Sequence, residues 1–165
     1  MSFDTTAIRK FAIEKHGDQK YGDKPYIEHL EMVYEESLSH GLPPVVSVAS
    51  FLHDVLEDTD ATYEELVEKF GSTELADLIS CVTDEEGKNR KERKAATYPK
   101  IKGNPDAIAL KLCDRIANVR ACVESGNTSL LSMYQKEQPE FEAQLKIEGV
   151  YPSLWEELDR LIQKA

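Results

Sequence analysis

"VVSVASFLHDVL", residues 45–56, is apolar on nearly every face until it reaches a histidine and an aspartate. A helix with no polar stripe is one packed on all sides, so this segment predicts the central helix of a helical domain. The chain then runs straight into Glu57 and Asp58. An unpaired ionised group in an apolar setting costs on the order of several kcal/mol. Asp54, Glu57 and Asp58 also face the negative end of the helix dipole, which disfavours each by roughly 0.3–1 kcal/mol. Something must compensate them.

Working outward, the remaining chain punctuates itself into further helices. One runs from about Thr5 to Lys15 and stops at His16-Gly17. A loop, "DQKYGDK", leads to Pro25, a suitable first residue for a second helix that ends at His40-Gly41. Pro43-Pro44 opens the central helix. Thr62 and Glu65 have capping-box spacing, and "TYEELVEKFG" ends on a glycine suited to a C-terminal cap. "TELADLISCVTDEE" is a fifth helix, and the basic "KNRKERKAATYPKIK" follows it. Asn104-Pro105 then starts a long helix that Gly126 stops, and two closing helices occupy about 128–148 and 153–164. No segment reads as a strand, repeat or linker. The expected fold is all-α, a compact multi-helix bundle forming a single domain over residues 1–165.

Composition narrows the function. A net charge of −11 argues against nucleic-acid polymers, whose phosphates need a basic face. A small anionic ligand stays compatible, because a bound metal and local cations can dominate the field inside a cleft. No long apolar run or signal-peptide core is present, so no membrane role and a cytoplasmic location are expected. The three cysteines form no CxxC pair and read as reduced packing residues.

Of the four histidines, His16 and His40 precede glycines in a helix's last turn, where an imidazole meets free carbonyls. His29 and His53 lie inside helices. His53 has Asp54 beside it and Glu57 one turn on, while Asp58 stands one turn beyond Asp54. A divalent cation would compensate both the imidazole lone pair and the carboxylate. In the long helix, Lys111, Asp114, Arg115 and Asn118 form a polar stripe opposite Ile108, Leu112, Ile116 and Val119. By itself that stripe reads as a solvated face with an internal ion pair. Packed beside the central helix, Asp114 becomes a fourth ligand and Asn118 a supporting or substrate-binding amide. Two histidines and two aspartates suit manganese, iron or zinc. The basic run Lys88 to Lys94 reads as a soluble helix start with a phosphate-facing role open, and Trp155 as a packing anchor.

Three blocks in order, "KPYIEH", "LHDVLEDTD" and "LKLCDRIANVR", resemble the HD-domain metal-dependent phosphohydrolases. Within these they are similar to the hydrolase domain of RelA/SpoT homologues and its small free-standing relatives. The resemblance covers roughly residues 8 to 122. It implies removal of the 3′-pyrophosphate from the alarmones ppGpp and pppGpp, yielding GDP or GTP. It implies manganese held by His29, His53, Asp54 and Asp114, with Glu57 and Asp58 as the catalytic acidic pair. Asn118 matches the asparagine of the "DRxxN" block, and Lys20 falls where the family has a basic residue for phosphates. Tyr21 stands where larger members have a second basic residue and is by that position a substrate-binding candidate, and Ile116-Ala117 replaces a common Leu-His pair. Lys111 and Arg115 are further candidates to offset phosphate charge. Other readings are an HD phosphohydrolase acting on another nucleotide, and a non-catalytic HD module. The last should have lost ligands or the acidic pair, and all six positions are filled.

Overall fold

The computed structural model describes residues 2–163. Among these the chain forms ten helices and one minimal hairpin. In order they are α1 (Thr5–His16), β1 (Lys20–Tyr21), β2 (Lys24–Pro25), α2 (Ile27–Ser39), α3 (Pro44–Leu52), α4 (Val55–Asp58), α5 (Tyr63–Phe70) and α6 (Thr73–Val82). There follow α7 (Arg90–Lys102), α8 (Pro105–Ser125), α9 (Thr128–Leu145) and α10 (Pro152–Ile162). The all-α expectation holds, with two local corrections. Pro25 does not open α2 but ends β2, which pairs antiparallel with β1 through the register Lys20 to Pro25 and Tyr21 to Lys24. Gly22 turns the hairpin at φ +63°, a left-handed value open to glycine.

The second correction falls on the opening stretch. Residues 45–56 are two helices rather than one: α3 ends at Leu52, His53 and Asp54 form a turn, and α4 begins at Val55. Asp54 sits at φ −106°, ψ −1°, at the edge of the right-handed helical region. Aspartate is a weak interior helix former because its short polar side chain finds other partners. Here those partners are Tyr26 and His53.

Every residue of α3 after Pro44 is buried, as its all-round apolar character predicts. α2 packs on α3 and α8, and α10 covers another side of α8. Local chemistry sets the ends of α8: Asn104 Oδ1 accepts from the Asp106 backbone N–H at 3.0 Å, Pro105 takes the first turn, and Gly126 closes at φ +71°. Thr62 caps α5 by accepting from the Glu65 N–H at 3.1 Å. Trp155 is 2% exposed and meets Phe141 at 5.6 Å between ring centres, a packing anchor as expected. Cys113 and Cys122 are buried and all three cysteines are free. Among the described residues no helix is long and apolar enough to cross a membrane.

Candidate metal centre and phosphate cleft

Four side chains from two helices and the α3–α4 turn come together. His29 comes from the first turn of α2, His53 and Asp54 from the turn, and Asp114 from the middle of α8. Asp114 Oδ1 lies 3.1 Å from His29 Nε2 and 3.3 Å from His53 Nε2. Asp54 Oδ2 lies 3.0 Å from His53 Nε2 and 3.9 Å from His29 Nε2. One donor atom each from His29, His53 and Asp114 falls within 4.8 Å of the others.

The donor set fits a divalent cation. His53 Nδ1 donates to the Ser50 carbonyl at 2.7 Å, so its Nε2 lone pair faces the carboxylates. That Nε2 is buried and has no hydrogen-bond partner. Two imidazole nitrogens and the Asp114 carboxylate converge, and Asp54, which is not part of that group of three, reaches both imidazoles from the side; together they offer the mixed nitrogen and oxygen donors of manganese, iron or zinc sites. Burial opposes ionisation of Asp54, but positive charge beside it, a protonated His53, outweighs this and brings the carboxyl to about 2. Asp114 is likewise held well below the usual range against burial, by His53 and Lys111.

The polar stripe of α8 is not a solvated face. Arg115 is 2% exposed, and its Nη1 donates to Glu137 at 2.7 Å while its guanidinium lies over Tyr134 and Phe141 at 4.8 and 4.4 Å. It nonetheless lines the cleft beside the centre, its charge shared with Glu137 as that of Arg90 is. Lys111 Nζ donates to Asp114 Oδ2 at 3.4 Å. Burial works against its charge, but Asp114 outweighs that and raises it. Asn118 Nδ2 donates to Asp114 Oδ1 at 3.1 Å, and its Oδ1 accepts from Tyr21 Oη at 2.7 Å.

Glu57 and Asp58 are exposed at the end of α4. Glu57 accepts from the Asp84 backbone N–H at 2.7 Å, and Asp58 from Gln19 Nε2 at 3.0 Å. Desolvation pushes both carboxyls above their ordinary values. A cleft of about 180 Å³ brings Glu57 together with His29, Asp54 and Asp114, and with Arg90, Lys94 and Lys111. A larger cavity of about 870 Å³ shares Glu57, Arg90 and Lys94 with it.

Lys20 is exposed on β1 and is not among the residues lining that cleft, and Tyr21 borders a separate groove. Sequence reasoning left two cations unassigned inside the basic run. Arg90 pairs with Glu137, and Lys94 Nζ with Asp84 at 2.9 Å. Tyr26, whose Oη donates to Asp54 Oδ2, was passed over although it lies within "KPYIEH". Glu137 carried no signal, being one acid among many in α9.

No protein-family model matches the chain. The guanosine-3′,5′-bis(diphosphate) 3′-pyrophosphohydrolase of Aquifex aeolicus is 40% identical over 116 residues, which are 67% of this chain but only 16% of that relative. The guanosine-3′,5′-bis(diphosphate) 3′-pyrophosphohydrolase MESH1 of Mus musculus is 31% identical over 146 residues, 85% of this chain and 80% of the mouse protein. The solved structure of a metazoan orthologue of SpoT superposes with a TM-score of 0.83 over 99% of this chain and 96% of that one, at 24% identity, and shares its fold. Identity sustained across four fifths of the mouse protein, together with the three blocks and the fold, means that this chain belongs to the MESH1-type guanosine-3′,5′-bis(diphosphate) 3′-pyrophosphohydrolase family.

Proposed function

We propose that this protein is a metal-dependent nucleotide phosphohydrolase that removes the 3′-pyrophosphate of ppGpp and pppGpp, giving GDP or GTP and pyrophosphate. The observation that carries the reading is the meeting of His29, His53 and Asp114, with Asp54 against both histidines, beside a cleft that also holds Glu57, Arg90, Lys94 and Lys111. The names of the Aquifex and mouse relatives support the same substrate.

His29, His53, Asp54 and Asp114 would hold the ion, with manganese our choice. A divalent cation in such a set supplies Lewis-acid polarisation of a phosphoryl oxygen and makes water a better nucleophile near neutral pH. The chain's own residues do the rest. Lys111, Arg90 and Lys94 bind the phosphates and offset the charge that grows on them in the transition state. Glu57, pinned by the Asp84 N–H, orients the attacking water and accepts its proton. Asp58 is not among the residues lining the cleft; held by Gln19, it would reach the leaving oxygen only through an intervening water. The reducing cytoplasm is the compartment we assign, in keeping with three free cysteines.

The test is incubation of purified protein with ppGpp, with manganese or with a chelator, following pyrophosphate. Manganese-dependent pyrophosphate release is the expected result. Release of inorganic phosphate alone, from other nucleotides, would move the substrate elsewhere. Tight nucleotide binding without turnover in added manganese would make the protein a binding module.

A further inference from the structure

The two histidines of the centre are oriented by different means. His53 is fixed through its second nitrogen, which donates to the Ser50 carbonyl, the ordinary way a ligating imidazole is held. His29 has no such hold, because its Nδ1 is buried and without a hydrogen-bond partner. It has two aromatic neighbours instead. The Tyr21 ring stacks on it at 4.6 Å with the planes 16° apart, and Tyr26 lies 5.5 Å away, tilted by 55°.

Tyr21 also reaches the far side of the centre. Its Oη donates to Asn118 Oδ1, and Asn118 Nδ2 donates to Asp114 Oδ1, the oxygen nearest both histidines. A side-chain amide can face its neighbours either way round. A phenol donor at Asn118 Oδ1 selects the orientation that turns the NH2 onto Asp114. The hydroxyl is thereby used within the protein, and the residue borders a groove outside the cleft. That placement argues against the substrate contact which the resemblance implied for this position.

We propose that Tyr21 is a positioning residue of the metal centre: its ring holds His29 in place of the missing hydrogen bond, and its hydroxyl holds Asp114 through Asn118. The inference rests on the metal reading of the four ligands. The hairpin of β1 and β2, which contributes no ligand, then acts as the brace that sets ligand geometry.

The test is titration of chelator-stripped protein with Mn2+, reading free Mn2+ by its electron paramagnetic resonance signal, for wild type, Tyr21→Phe, Tyr21→Leu and the control Tyr63→Phe. Tyr63 bonds the exposed Asp77, away from the centre. Losing an outer partner of a ligand typically weakens metal affinity about 10–100-fold, and Tyr21→Leu is expected in that range. Tyr21→Phe keeps the ring and recovers part of the loss, and Tyr63→Phe matches wild type. At saturating Mn2+ the Tyr21 variants keep the wild-type KM. Wild-type Mn2+ affinity in Tyr21→Leu, or a raised KM at saturating Mn2+, overturns the proposal. Equal losses in the two Tyr21 variants overturn the stacking half. Failure of wild type itself to bind Mn2+ brings down the metal reading and this role of Tyr21 with it, whereas a wild type that binds Mn2+ and is matched by Tyr21→Leu overturns the role of Tyr21 alone. Tyr21→Phe removes a single oxygen, so it keeps the test decisive should Tyr21→Leu fail to fold.

Discussion

Nε2 of His53 stands 3.3 Å from Oδ1 of Asp114, so the turn between α3 and α4 meets the middle of α8 at one point. Replacing Asp114 by Asn keeps its shape and removes its charge. Several kcal/mol of transition-state stabilisation should go with it, which is about 10³-fold or more in turnover. Pyrophosphate release and Mn2+ titration, run side by side, check this. Near wild-type turnover in Asp114→Asn would take Asp114 out of the centre.

Glu57 separates chemistry from metal binding. It lies in the cleft, yet the group it accepts a hydrogen bond from is the Asp84 backbone N–H and no candidate ligand. Glu57→Gln keeps that bond and loses the base, so turnover is expected to fall by about 10²–10⁴ while Mn2+ affinity stays close to wild type. A Glu57→Gln enzyme with unchanged kcat refutes the role.

Lys94 should make substrate binding sensitive to alkali. Burial and the neighbouring Lys111 lower its pKa to about 8, with Arg90 adding to the repulsion and Asp84 opposing it. Above that pH the cleft loses a cation. KM for a polyanionic substrate should therefore climb severalfold between about pH 7 and 9. Lys94→Arg stays charged throughout and should flatten the climb. Steady-state kinetics across that range decide it, and parallel profiles for the two enzymes would exclude Lys94.

Glu137 makes acid stability predictable. Burial alone would raise its carboxyl, but hydrogen bonds from Arg90 and Arg115 outweigh this and bring it from 4.5 to about 2. A carboxyl depressed by folding stabilises fully above its unfolded pKa, and the contribution is lost as pH falls through the folded value. The window is therefore about pH 4.5 down to 2. Partial solvent exposure reduces the effect to about 1–3 kcal/mol. Urea unfolding at stepped pH should show Glu137→Gln less stable than wild type at pH 7, with the gap closing toward pH 2. A constant gap would mean that the ion pairs contribute nothing.

Much of this protein is written locally. Asn104-Pro105 and Gly126 bound α8, and Thr62 with Gly71 bounds α5, because capping satisfies backbone groups only a few residues away. The apolar run after Pro44 settles that α3 is central, since hydrophobic burial follows composition directly. The candidate ligands His53 and Asp54 are legible because such groups have no inexpensive solitary place in an apolar helix, whereas Asp114 enters only on the condition that α8 packs beside that helix.

What needed the tertiary structure is whatever depends on a partner far along the chain. Asp54 breaks the helix because Tyr26 and His53 engage its carboxylate. The stripe on α8 that reads as solvent-facing is buried, because Arg115 finds Glu137 and two aromatic rings on α9. Arg90 and Lys94 line the cleft while Lys20 stays outside it, a distinction no run of positive charge can express. Periodicity reports which face of an element is apolar, not which distant polar group will meet it. The residue types and helix limits therefore belong to the sequence, and the choice among equally plausible cations, amides and tyrosines belongs to the packing of α2, the α3–α4 turn, α7, α8 and α9 around one cleft.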